Sequence, residues 1–99
     1  MIGILLTTRV RYVSLRVCLD SLSRVDNAID LEVIVVCDDD KISFNLANGF
    51  DGQFFFGEYK FILIQNRFYS VGAFNKALEN CFSRVFLWTA YKVTYDKEA

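Results

Sequence analysis

The residues of this chain with the types to bind or transform a ligand fall in short clusters. They are Thr7-Thr8-Arg9, Asp38-Asp39-Asp40, Asn66-Arg67, and Asn75 with the segment after Thr89 that holds Lys92. Hydroxyls, carboxylates, amides and guanidinium groups are the donors and acceptors that polar and charged ligands require. The 99 residues contain no histidine. That excludes serine–histidine and cysteine–histidine hydrolase mechanisms and histidine-built zinc sites. Any catalysis rests on carboxylates, thiols, lysine or arginine. The three cysteines, Cys18, Cys37 and Cys81, are odd in number, lie among apolar residues and form no C-x-x-C pair. They read as buried free thiols of a reducing compartment rather than as a metal or redox site.

The clusters are positioned by an alternating set of elements. Nearly continuous apolar runs at Ile2–Thr7, Leu31–Cys37, Tyr59–Gln65 and Val85–Thr89 predict strands covered on both faces, as in a parallel sheet. Leu15, Cys18, Leu19 and Leu22 fall at i, i+3, i+4 and i+7, which predicts a helix with Ser14 as its N-cap. Val71, Phe74, Leu78, Cys81 and Phe82 predict a second stripe, capped by Ser70, with Asn75 sharing its inward side. A weaker helix is expected over Ser43–Asn48, stopped by Gly49. Asp51–Glu58, with two glycines and three phenylalanines, reads as a loop. The order β-α-β-α-β-α-β predicts a single α/β domain over residues 1–99. It would be a three-layer sandwich around a mostly parallel four-stranded sheet with right-handed crossovers.

In such a sheet, ligands bind outside the carboxyl ends of the strands, near the point where strand order reverses. Thr7-Thr8-Arg9, Asp38-Asp39-Asp40, Asn66-Arg67 and the segment after Thr89 all follow predicted strands, so they converge at one sheet edge. Each has a plainer alternative. The threonines end a strand, the three aspartates make a solvated turn that starts a helix, and the arginines are surface charges. Asn75 either bonds local backbone or supports a ligand loop.

Charge and length restrict the partners. Eleven basic and twelve acidic residues give a formal net charge of −1, with an acidic middle third and no basic face that would track a nucleic acid. Apolar runs of about five residues fall far short of the roughly 20 that span a bilayer. The opening Met1–Leu6 lacks a basic n-region and a cleavage site, so a cytoplasmic chain is expected.

Taken in order, these motifs resemble the N-terminal half of a family 2 glycosyltransferase of the GT-A fold. The residues that carry the likeness are Thr7-Thr8-Arg9 followed by Cys18-Leu19-Asp20-Ser21-Leu22, Val33–Val36 running into Asp38-Asp39-Asp40, and Asn66 with Gly72 and Asn75-Lys76-Ala77. The resemblance implies a Rossmann-like domain that binds a uridine- or guanosine-type nucleotide-diphosphate sugar for glycosyl transfer. Thr7, Thr8, Arg9, Asp38, Asp39, Asn66 and Asn75 would then form the nucleotide site, with Arg67 and Lys92 near the diphosphate. A carboxylate accepts a hydrogen bond from the base N3–H, and arginine beside a helix start suits phosphate.

Two departures qualify that expectation. The family's metal-binding D-x-D, which holds manganese or magnesium, falls here at Ala90-Tyr91-Lys92, where no side chain suits a hard cation. Lys92 offers a fixed charge in place of the metal. The family also continues past this length with the acceptor site and catalytic base, so no catalytic residue is assigned, and an incomplete domain that self-associates is expected. The alternative is a non-catalytic interaction module that kept the fold, with Phe54-Phe55-Phe56 as a contact surface. A receiver-like domain is a third reading, disfavoured because Thr7-Thr8 and Asn66 stand where its acidic residues and phosphoacceptor belong.

Overall fold

A computed structural model describes residues 1–65, 69–83 and 85–89. Its elements are strand β1 (Ile2–Thr8), helix α1 (Tyr12–Ser23), a single 3-10 turn at Ala28–Asp30, β2 (Leu31–Asp38), α2 (Lys41–Gly49), β3 (Glu58–Ile64), α3 (Tyr69–Glu79) and β4 (Val85–Thr89). Strands β1, β2 and β3 form an all-parallel sheet in spatial order 1-2-3, and the backbone of β4 pairs in parallel with the other side of β1.

The continuous apolar runs have the cause inferred for them, since the central strands are covered on both faces. Along β2 every residue after Leu31 is buried. Period-two alternation divides the sheet's side chains between two layers. Ile4, Leu6, Val33, Val35 and Cys37 pack with Leu15 and Leu19 of α1 and Ala47 of α2. Leu5, Ile34, Val36 and Ile64 pack with Ala73 and Ala77 of α3 on the opposite face. Helices therefore flank both sides. The sheet order explains the split: two crossovers step from β1 to β2 to β3, and the third returns past them to β4. Right-handed connections running in opposite directions place their helices on opposite faces.

Several local expectations change. α1 starts at Tyr12, because the Arg11 carbonyl already accepts the Leu15 N–H at 2.9 Å, so Ser14 lies inside the first turn and not at the cap. α2 begins at Lys41, ahead of Ser43, because Asp40 caps it. α2 does end at Gly49, but Phe50 follows in right-handed helical geometry, and the glycine with a positive φ is Gly52. α3 begins at Tyr69, which puts Ser70 within the helix. The buried stripe of α3 is partly rotated from the expected one: Phe74 and Cys81 pack against the core as expected, but Val71, Leu78 and the following Phe82 are exposed, while Ala73 and Ala77 face the sheet. Two alanines four residues apart let the helix backbone lie close to the bulky side chains of β1, β2 and β3. Asn75 consequently points to solvent.

The phenylalanine-rich loop is exposed along most of its length, but two of its three rings turn inward. Phe54 and Phe56 turn back onto the first layer in a chain of aromatic contacts running Phe50–Phe54–Phe56–Tyr59–Phe61–Phe44. Phe55 alone of the three stays exposed. The Tyr59 hydroxyl donates to the Ala47 carbonyl at 2.9 Å, which ties this chain of rings to α2.

Candidate functional site at the carboxyl edge of the sheet

Register decides which polar clusters meet. Thr7 and Thr8 pair with Val36 and Cys37 across the β1–β2 ladder, so the end of β1 lies beside the start of Asp38-Asp39-Asp40. Asp38 is the last residue of β2, pairs with Ile64, and is buried and engaged in an interaction within the protein. Asp39 is exposed, takes a left-handed φ of 51° and donates its N–H to the Ile64 carbonyl at 2.9 Å. The reversal of strand order falls between β1 and β4, at the same edge. Thr7, Thr8, Arg9, Asp38 and Asp39 are thus brought together. Asn75 is not, because α3 turns it outward. Asn66, Arg67 and Ala90-Tyr91-Lys92 lie outside the described residues.

Asp40 has a role distinct from its two neighbours. Its Oδ1 accepts the Ser43 N–H at 3.1 Å, and its Oδ2 accepts the Ser43 hydroxyl and the Val10 N–H, both at 2.6 Å. The first two bonds cap α2. The third crosses to the β1–α1 loop, thirty residues away in sequence. Burial by itself raises the Asp40 carboxyl. The Ser43 hydroxyl, the N–H groups of Val10 and Ser43, and the charge of Arg9 outweigh it and hold the group below its ordinary value. The turn-and-cap alternative for the aspartates therefore describes Asp40, while Asp39 keeps an exposed carboxylate. The sequence signal for the cap was aspartate three residues before Ser43. No sequence signal marks the bond to Val10.

Beneath the same loop, the Thr8 hydroxyl is buried and is the sole buried side-chain polar atom without a partner among the described residues. Leaving such a group unpaired costs about 1–3 kcal/mol. Cys37, its register partner, is also buried; desolvation and then the Asp40 charge push its thiol up to about 12, so it is not a nucleophile at neutral pH. Burial likewise raises the Cys18 thiol; all three cysteines are free, but only Cys37 is buried, while Cys18 and Cys81 are half-buried where full burial is expected.

A second polar cluster, which no local sequence pattern marks, lies at the opposite, amino-terminal end of the sheet. Glu32, wholly buried in β2, accepts from Lys60 Nζ at 2.9 Å, from the N–H groups of Phe82 and Ser83, and from the Ser83 hydroxyl at 2.6 Å. Lys60 also donates to the Asn80 carbonyl and sits 3.6 Å from the centre of the Phe82 ring. Burial raises the Glu32 carboxyl. The Ser83 hydroxyl, the Phe82 N–H, Lys60 and the Ser83 N–H overcome that effect and bring it down to about 2. With every oxygen engaged by its own chain, Glu32 fastens the α3–β4 connection under β2 and has no acceptor capacity to offer a ligand.

Among the described residues, no group of histidine, cysteine, aspartate and glutamate is arranged to hold a metal, and no helix is long and apolar enough to cross a membrane. Compared with known proteins, the chain matches no family model, no curated protein and no solved structure.

Proposed function

We propose that this chain is a Rossmann-like, GT-A-type domain that binds a nucleotide diphosphate sugar at the carboxyl edge of its sheet, as part of a glycosyl-transfer apparatus. The observation that carries the reading is the juxtaposition of Thr7-Thr8-Arg9 with Asp38-Asp39 beside the point where strand order reverses. The exposed Asp39 carboxylate suits a base N3–H. The Thr8 hydroxyl supplies a donor and acceptor that the described residues leave unused. Arg9, exposed next to the start of α1, suits phosphate oxygens.

The family's divalent cation does not fit this sequence. Ala90, Tyr91 and Lys92 provide no carboxylate where the D-x-D pair would stand. Charge on the diphosphate is instead met by arginine and, in this reading, by Lys92. Calorimetric titration with uridine diphosphate and guanosine diphosphate tests the proposal. One of them binds, and Asp39→Ala weakens that binding at least tenfold; absence of heat with both, in folded protein, rejects it.

The reading as a self-associating interaction module is supported by the exposed Phe55 and by the outer edge of β3, which pairs with no further strand among the described residues. It loses part of its expected surface, because Phe54 and Phe56 are turned inward. Light scattering that shows a monomer at high concentration counts against it.

A further inference from the structure

Two non-glycine residues in the carboxyl-edge loops have left-handed backbone: Val10 at φ 55° and Asp39 at φ 51°. Aspartate tolerates that region. A β-branched residue such as valine does not take it without help. The help here is visible, because the Val10 N–H is bonded to the buried Asp40 carboxylate at 2.6 Å. The same carboxylate is anchored through both oxygens to Ser43 at the start of α2. One side chain thereby joins the β1–α1 loop, which holds Arg9, to the β2–α2 loop, which holds Asp39.

We infer that Asp40 is a positioning residue: by fixing Val10 it sets the spacing between Thr7-Thr8-Arg9 and Asp38-Asp39 that a nucleotide diphosphate must span. This inference rests on the proposed nucleotide-binding reading. A ligand grasped from two loops binds better when both are already in place, since ordering them on binding opposes association.

Two variants separate positioning from support of the fold. Asp40→Ser keeps an N-cap residue for α2 but is too short to reach Val10. Ser43→Ala removes the hydroxyl contact within the α2 cap and leaves the Val10 tether in place. Amide hydrogen exchange and calorimetry with uridine diphosphate and guanosine diphosphate are then measured on both variants and on the unaltered protein. Asp40→Ser is expected to speed exchange at the Val10 amide at least tenfold and to weaken nucleotide binding at least tenfold. Ser43→Ala is expected to change each by less than threefold, although it lowers stability. Unchanged Val10 exchange in Asp40→Ser overturns the inference whether or not nucleotide binds. Equal loss of affinity in the two variants overturns it too, since support of the fold alone then accounts for the effect. Failure of the unaltered protein to bind either nucleotide, with Val10 exchange responding as expected, rejects the nucleotide reading and leaves the tether established.

Discussion

Replacing Glu32 by glutamine keeps the shape of the side chain and removes its charge, at the point where β2 holds the α3–β4 connection. The carboxylate accepts from Phe82, Ser83 and Lys60 through two oxygens. Glutamine has one oxygen. Its amide placed at Oε2 faces Lys60 and the Phe82 N–H, which are donors too; placed at Oε1 it faces Ser83. The cost combines weakened charge-assisted bonds with a buried donor left unpaired, about 2–4 kcal/mol. Lys60 is partly exposed and keeps the Asn80 carbonyl, which holds the figure below that of a fully buried pair. Stabilities of domains this size are about 5–15 kcal/mol, so the loss is a large fraction. It corresponds to a fall in Tm of about 10–25 °C.

The acid response of the same group provides an independent check. The folded carboxyl lies at about 2 against an ordinary value of 4.5. A lowered folded value means that its stabilisation is complete above 4.5 and is lost as pH falls from there toward 2. The difference amounts to about 3 kcal/mol. Urea denaturation at pH 7 and pH 3 reads both quantities. At pH 7 Glu32→Gln is less stable than the unaltered protein by the stated amount, and the gap narrows at pH 3. Asp40, also held low, leaves a residual slope in the variant. A difference below about 0.5 kcal/mol at pH 7, a value ordinary for surface substitutions, refutes the assignment of Glu32 as the fastening of this connection.

Val10→Gly removes a β-branched residue from left-handed backbone at an exposed position, so it should raise stability by about 0.5–1 kcal/mol in urea unfolding; the gain is what remains of the relieved strain after glycine's entropy is subtracted. A loss there shows that the valine side chain contributes packing. Cys37 should resist iodoacetamide at pH 8 in the folded chain and react after denaturation, read by mass spectrometry, because it is buried and its thiol is pushed up to about 12. Rapid labelling of folded protein contradicts its placement in the core.

Much of the architecture was legible because it is written in periodicity. Continuous apolar runs marked β1, β2, β3 and β4 to within about a residue, and the stripe Leu15–Leu19 marked the buried side of α1. The errors have local physical causes. Sequence spacing alone favours the largest apolar side chains as a helix's inner face, and α3 presents Ala73 and Ala77 beside Phe74, so the spacing puts Asn75 on the wrong side. Ser14 and Ser70 are good capping residues by type, but a cap depends on where the preceding loop ends. At the candidate site, the convergence of Thr7-Thr8-Arg9 with Asp38-Asp39 follows from strand ends and parallel pairing, which sequence pattern does carry. The Asp40–Val10 bond and the Glu32 cluster join residues thirty and fifty positions apart, and no local pattern encodes such pairings.

Binding of a nucleotide diphosphate at the carboxyl edge is read residue by residue in amide chemical-shift mapping during titration with uridine diphosphate or guanosine diphosphate. Shifts concentrate at Thr7, Thr8, Arg9, Val10, Asp38, Asp39 and Asp40 if the nucleotide sits there, with Cys81, Phe82 and Ser83 at the opposite end unmoved. No shifts with either nucleotide in folded protein, or shifts confined to residues away from that edge, contradict it.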